Sequence, residues 1–272
     1  MDYSTTTMHP SVHDSPSILS KAFELLRAFN QTARVMTLSE LARASDLPKS
    51  TVHRLLARLI ELDVVEQSGH GYRLGVSLLK LSATTPVAGL RELAAPHLSA
   101  LLNYTRHPVR LGILRGLDVV CVEKLSPRGP AAEPSEIGSR WPATCTALGK
   151  ALLAHDDPEQ LRARLSLGLP RMTPRSVSDV DDLLVQLRRT RANGLAYADG
   201  EARLGVACIA APILVHPGSP RVVAALSVSF PSGTADFAKI EGAVRHSAGR
   251  LSADAATNIV SRERWLPVSP EE

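Results

Sequence analysis

The sequence predicts a two-domain α+β chain, and three observations carry that prediction. Between Thr37 and Leu62 two short amphipathic helices meet at a tight turn. Two short apolar strands follow around Ser68-Gly69-His70-Gly71, a hairpin signal. Beyond a break at Ser82-Ala83-Thr84-Thr85-Pro86, the elements run helix, strands, helices, strands, helix. That order describes an antiparallel sheet covered by helices. The expected segments are a polar lead-in (1–16), a first domain (17–73), a linker helix and connection (74–86), a second domain (87–262) and a frayed tail (263–272).

In the first domain, Thr37-Leu38-Ser39-Glu40 reads as a capping box, with Leu38, Leu41 and Ala42 as a small apolar face. Asp46, Leu47 and Pro48 break this helix, and Pro48 suits the first turn of the next. There Val52, Leu55, Leu56, Leu59 and Leu62 recur at three- and four-residue spacing, which marks a core stripe. The opposite face carries Lys49, Ser50, Thr51, His53, Arg54 and Arg58, with no acid between Leu47 and Ile60. Such a face can enter the major groove of double-stranded DNA, its hydroxyls and amides on phosphates and an Arg forked onto guanine. An ordinary solvated basic face has the same pattern. An amphipathic helix opening at Ser17 and the hairpin strands Val64–Gln67 and Tyr72–Leu74 complete a winged helix-turn-helix, with Arg73 and His70 beside the groove.

In the second domain, Leu90, Leu93, Ala94, Leu98, Leu101 and Leu102 describe a helix that Pro96 should kink or split. Val109–Arg115 and Val119–Leu125 read as a hairpin around Gly116-Leu117-Asp118, and Thr144–Ala154 as a helix. Further helices are expected from Asp157-Pro158 to about Leu167, and from Ser178 with Asp181 to Asn193-Gly194. Val206–Val215 and Val222–Phe230 are strands joined by the turn His216–Pro220, and a long helix spans about Ala235 to Ser261.

Composition sets bounds. At 272 residues, 44% hydrophobic and 21% charged, the chain can bury substantial cores. The net charge of +4 permits nucleic-acid binding without requiring it, since residues 1–82 hold nine Lys/Arg against eight Asp/Glu. Cys121, Cys145 and Cys208 lie far apart and lack metal-ligand spacing, so free thiols in a reducing cytoplasm are expected, with no metal and no cofactor. No apolar run approaches the roughly 18 residues of a membrane helix.

Gly149-Lys150 lacks the remainder of a P-loop, and Cys145 has no His or acid at a telling spacing, so a buried thiol is the simpler reading. Asp181-Asp182 is a helix-terminal charge pair more simply than a metal site. No nucleophile–base pair emerges, which argues against an enzyme of small organic acids. Ser227 and Ser229, two apart in a strand, share one face, either a pocket or the outer surface. The start of the Thr144 helix offers backbone N–H groups that favour an anion such as a carboxylate.

Five blocks in this order resemble the IclR-type bacterial transcriptional regulators: LSELARASDLPKSTVHRLLARL, GSRWPATCTALGKALLA, TPRSVSD, GLAYADGEARLGVACIAAPI and VVAALSVSFP. The resemblance implies a dimerising winged helix-turn-helix on a palindromic operator, in a homodimer or dimer of dimers. It also implies a GAF-like or profilin-like α/β sensor domain for a small organic-acid or aromatic-carboxylate effector. Carried over by position, the effector contacts fall on Ala143, Ala147, Ala198, Asp199, Cys208, Ser227 and Ser229. The family's acidic turn usually reads Gly-Tyr-Ala-x-Asp-x-x-Glu; here Leu195 replaces the tyrosine and Ala198 the first acid. Either Asp199 supplies the carboxylate one residue later, or the pocket works without it, or strand alternation turns Asp199 away. The expected function is a ligand-responsive regulator, more often a repressor by analogy; a constitutive regulator with a silent sensor is the alternative.

Overall fold

The computed structural model describes residues 17–30, 33–127, 137–166, 168–216, 221–233 and 236–259. The expected lead-in, the tail, Leu167 and most of the His216–Pro220 turn lie outside them. The chain divides into two compact units, Met1–Thr84 and Thr85–Glu272.

The first unit opens with α1 (Ile18–Arg27), capped by Ser17, then α2 (Leu38–Ala44) and α3 (Lys49–Glu61). At α2 the capping box closes as its sequence requires: Thr37 Oγ1 accepts from Glu40 N, and Glu40 accepts from Thr37 N at 2.8 Å. The left-handed Asp46 (φ 53°) turns the chain into α3, with Pro48 as the residue before the first helical position rather than inside it. Leu25, Leu41, Val52, Leu55, Leu56 and Leu59 form the core. Each fully buried leucine contributes about 1.5–3 kcal/mol. Leu62 does not extend the stripe: α3 ends at Glu61, and Leu62 lies 67% exposed.

The wing is an antiparallel hairpin of β1 (Val65–Ser68) and β2 (Gly71–Leu74), with Ser68 opposite Gly71 and Met36 bridging to Tyr72. Gly69 takes the left-handed conformation that the two-residue turn needs. The linker helix is α4 (Ser77–Ala83), later than expected because Leu74 belongs to the wing. Three contacts fasten its start: Gly75 N donates to Val64 O, Ser77 Oγ donates to Asp63 O, and Val76 N donates to Glu66.

The second unit is built on one antiparallel sheet. Its strands are β3 (Val109–Arg115), β4 (Asp118–Leu125), β5 (Arg140–Pro142), β6 (Ala196–Asp199), β7 (Val206–Leu214) and β8 (Val222–Pro231), in the spatial order β5-β4-β3-β8-β7-β6. On one face α5 (Val87–Thr105) and α9 (Phe237–Ile259) pack over Val109, Leu111, Ile209, Leu226 and Val228. Pro96 neither splits nor ends α5. Both it and Glu92, whose carbonyl it deprives of an N–H partner, lie on the exposed side, where water can take that carbonyl.

The other face carries α6 (Ala147–Leu153), with α7 (Pro158–Arg164) and α8 (Val180–Asn193) beyond it. The expected Thr144–Ala154 helix is interrupted. Ala143–Cys145 form a 3-10 turn, and α6 starts afresh behind Thr146, whose hydroxyl accepts from Gly149 N. Gly149 has no substitute there, because a Cβ would lie 2.1 Å from Ala143 O. Asp179 rather than Ser178 caps α8, accepting from Asp181 N and Asp182 N. Gly194 (φ 72°) stops that helix as expected.

Candidate functional site

On the first unit, the exposed face of α3 presents Lys49, Ser50, His53 and Arg54, with Thr51 half-buried beside them. No side chain caps the first turn; Thr51 N donates to Pro48 O, which leaves the N–H groups of Lys49 and Ser50 to face an anion. Arg58, one turn further on, is held by Glu61 at 2.7 Å. Arg73 is tied within the wing: its Nε donates to Glu66 at 2.9 Å, and the same carboxylate accepts from Val76 N. Those two bonds, the backbone one first, hold Glu66 below the usual carboxylate range. His70 lies exposed at the turn of the wing.

On the second unit, a cavity of about 100 Å³ lies against the α6 side of the sheet, well above the roughly 10–15 Å³ that one water needs. Strand alternation decides its wall. In β8, Leu226, Val228 and Phe230 face α5 and α9, which leaves Ser227 and Ser229 on the cavity side. Register then sets Arg110 of β3 beside Ser227, and Cys208 of β7 beside Ser229. Val119 and Cys121 of β4, Trp141 of β5, Thr146, Ala147 and Leu148 at α6, and Ala202, Arg203 and Val206 complete the lining.

Four of the seven expected contacts meet here: Ala147, Cys208, Ser227 and Ser229. Three do not line the wall. Ala143 is fully buried in the cluster between the 3-10 turn, α7 and α8. Ala198 packs beneath α6, opposite Cys208. Asp199 faces outward, accepting from Arg175 at 3.0 Å and from Ser232 at 2.5 Å. The alternation of β6 sets Asp199 on the face opposite Ala198, away from the cavity, so Asp199 does not supply a carboxylate there. The anion site expected from the helix start is also reduced, since Thr146 already occupies the N–H of Gly149.

Arg110 is the residue that sequence reasoning missed. Its guanidinium donates to Ser229 Oγ at 2.6 Å, and that hydroxyl also meets Cys208 Sγ at 3.1 Å. Burial lowers the pKa of Arg110 from its usual value, chiefly by desolvation. Burial raises Cys208 and Cys121, so both stand as thiols that hydrogen-bond rather than as thiolate nucleophiles. A cation between two core residues of a strand, Val109 and Leu111, was the available signal. Cys145 is buried and donates to Pro170 O, as the simpler reading held.

A second missed feature holds the cavity's rim. Lys150 of α6 is 1% exposed and donates to Glu201 at 2.5 Å and to Gln186 of α8 at 2.7 Å. Burial lowers the Lys150 pKa, against the opposing pull of Glu201. The Glu201 carbonyl accepts from Thr173 and Ser176, and Gly200 N closes the loop onto Val206 O. The lining residues Ala202 and Arg203 sit inside that closed loop. Among the described residues no group of three potential metal ligands occurs, and no helix is long and apolar enough to cross a membrane.

These geometries agree with what known proteins show. Residues 18–69 match the family described as the IclR helix-turn-helix domain, and residues 82–253 match the one described as bacterial transcriptional regulator IclR C-terminal. The chain belongs to the IclR family of transcriptional regulators. Among curated relatives, the regulator XynR of Escherichia coli is 31% identical over 82% of this chain and 89% of its own length. The regulator KdgR of Dickeya chrysanthemi is 33% identical over 80% of this chain and 72% of its own. A solved IclR homologue from Microbacterium hydrocarbonoxydans, crystallised with 4-hydroxybenzoate, superposes with a TM-score of 0.77 at 28% identity, covering 89% of this chain and all of that one. The winged helix-turn-helix and the helix-covered antiparallel sheet are thus the two-domain architecture of an IclR regulator.

Proposed function

We propose that this IclR regulator binds an operator through α3 and that a small carboxylate in the sheet cavity changes its affinity for that operator. One observation carries the effector reading: the guanidinium of Arg110, the hydroxyls of Ser227 and Ser229 and the thiol of Cys208 converge on a cavity that Arg203, Thr146 and Cys121 also line among apolar side chains. Arg110 supplies charge and a two-pronged donor for a carboxylate, while Ser227, Ser229 and Cys208 orient it. Trp141, Val119 and Leu148 suit the hydrocarbon or ring that carries the carboxylate. The 4-hydroxybenzoate bound by the Microbacterium homologue supports this class.

On the DNA side, Lys49, Ser50, Thr51, His53 and Arg54 contact the duplex directly. Arg58 and Arg73 act at its margin, because each is already engaged by a glutamate. Ligand binding shifts the balance between two arrangements of a dimer, and α4 passes that shift to the DNA-binding unit. Moving an operator from mostly occupied to mostly free takes about 5.5 kcal/mol of differential affinity at most. Repression is the mode that such a design serves most simply, and no catalytic step is assigned to the thiols or hydroxyls.

The test is thermal stability against a panel of aliphatic and aromatic carboxylates. A ligand at a hundred times its Kd adds about 2.7 kcal/mol and raises Tm by roughly 5–11 °C in a domain of this size. A panel that leaves both the wild type and Arg110→Gln unmoved overturns the carboxylate reading and favours a silent sensor.

A further inference from the structure

Helix α3 turns one small apolar side chain outward among its polar ones. Val52, Leu55, Leu56 and Leu59 face the core, so the ridge opposite them runs through Ser50, Arg54, Ala57 and Glu61. All four of these residues are exposed. Lys49, Thr51 and His53 stand to the sides of that ridge, where the phosphates bordering a groove would lie.

Charge marks where the ridge can meet DNA and where it must stop. No acid occurs between Leu47 and Ile60. Glu61 is the first, and it holds Arg58 at 2.7 Å, so both charges of that pair are spent on each other at the end of the helix. The acid-free stretch from Ser50 to Ala57 rises about 10 Å. That length matches roughly three base-pair steps of about 3.4 Å each.

Within this stretch Ala57 sits one turn beyond Arg54, and its side chain is a single methyl. A methyl offers nothing to a phosphate or to a hydrogen-bonding base edge. In the major groove it has one complement, the C5-methyl of thymine, the apolar group that sets a T·A pair apart from the others. Being short, it also lets the helix come close enough for that contact.

We propose that Ala57 is a specificity-determining residue, its methyl packed on the C5-methyl of a thymine one or two base pairs from the guanine that Arg54 reads. This rests on the reading above that α3 enters the major groove of an operator. Taking one methyl out of water in that contact is worth about fourfold in affinity.

Fluorescence anisotropy tests this with the full chain and a duplex that the chain has selected from random DNA. Each thymine is replaced in turn by deoxyuridine, which removes the C5-methyl and leaves every hydrogen-bonding group in place. One thymine, within two pairs of the guanine whose preference Arg54→Ala erases, is expected to cost about fourfold when replaced. Ala57→Gly should weaken the thymine duplex and bind its deoxyuridine mate equally well. Ala57→Gln, which keeps a good helix former at the position, should also lose the penalty and shift selection there toward adenine. A deoxyuridine cost that neither variant changes belongs to the duplex itself and overturns the assignment. Equal losses on both duplexes make Ala57 a helix former only, and a selected site with no thymine in that window gives it nothing to read; either result also overturns the proposal. In these cases the operator reading stands, because Arg54→Ala still erases the guanine preference. If Arg54→Ala and the Ala57 variants bind every duplex as wild type does, the operator reading and this assignment fall together.

Discussion

The two units place their chemistry in opposite ways. In the first, the residues assigned to direct DNA contact lie along a single helix, most of them exposed, while Val52, Leu55, Leu56 and Leu59 bind that helix to its core. In the second, the assigned residues come from five strands, α6 and a loop, and they face inward. A surface reader needs one periodic element with correct caps. An interior site needs strand register, and a change of one residue removes a side chain from it, as the outward-facing Asp199 next to the inward-packed Ala198 illustrates. The first site therefore tolerates changes at its margins, whereas the second depends on the buried contacts that hold its wall in place.

The largest predicted effect breaks that dependence directly. Lys150→Met leaves Glu201 buried without its cation and should destabilise the second unit by about 3–5 kcal/mol in urea unfolding. The double variant Lys150→Met/Glu201→Leu should recover much of that loss yet bind effector more weakly than wild type, because the rim loop keeps its backbone bonds but loses the ionic tie to α6. Next comes Arg54→Ala, which should cost about 1–3 kcal/mol in operator binding and far less on random duplex. Equal losses on both duplexes would place Arg54 on the phosphates instead of the bases. Thr37→Ala opens the capping box and should cost about 1 kcal/mol of stability with the cavity untouched.

The smallest effect is one of pH. Glu40 and Glu66 are held below the usual carboxylate range, Glu40 chiefly by the Thr37 backbone N–H and Glu66 chiefly by that of Val76. Their folded-state pKa values lie below the unfolded ones, so their stabilisation is present above the unfolded value of 4.5 and fades as pH falls through the folded value. Glu66→Gln should flatten the acid limb of the unfolding profile and loosen α4 from the wing, which hydrogen exchange at Val76 would report. An unchanged profile would mean that the wing-to-helix clamp contributes nothing in solution.

What could be read in advance follows the same division. The capping box, the core stripe of α3, the hairpin around Gly69 and the stop at Gly194 are local signals, each complete within a few residues, and each stands in the structure. The shared face of Ser227 and Ser229 was equally local, but whether it was an inner or an outer face was not. That depended on α6 covering it. Arg110 left one local trace, a cation between the core residues Val109 and Leu111, but its bond to Ser229 and the Lys150–Glu201 pair join residues dozens of positions apart, which no spacing rule reveals. The interruption at Thr146 escaped notice because apolar periodicity runs unbroken through TCTALGKALLA, while the backbone of Ala143 abutting Gly149 forces the restart.

The central claim is that the cavity governs the DNA-reading face, and operator anisotropy measures it most directly. A duplex selected by the protein from random DNA would be titrated with and without the tightest carboxylate, using wild type and Arg110→Gln. The account predicts that the ligand shifts wild-type affinity by tenfold or more, on the order of 1.4 kcal/mol of coupling. Arg110→Gln should bind the free operator as wild type does and ignore the ligand. A variant that still responds fully, or a wild type whose affinity no bound carboxylate alters, would contradict it.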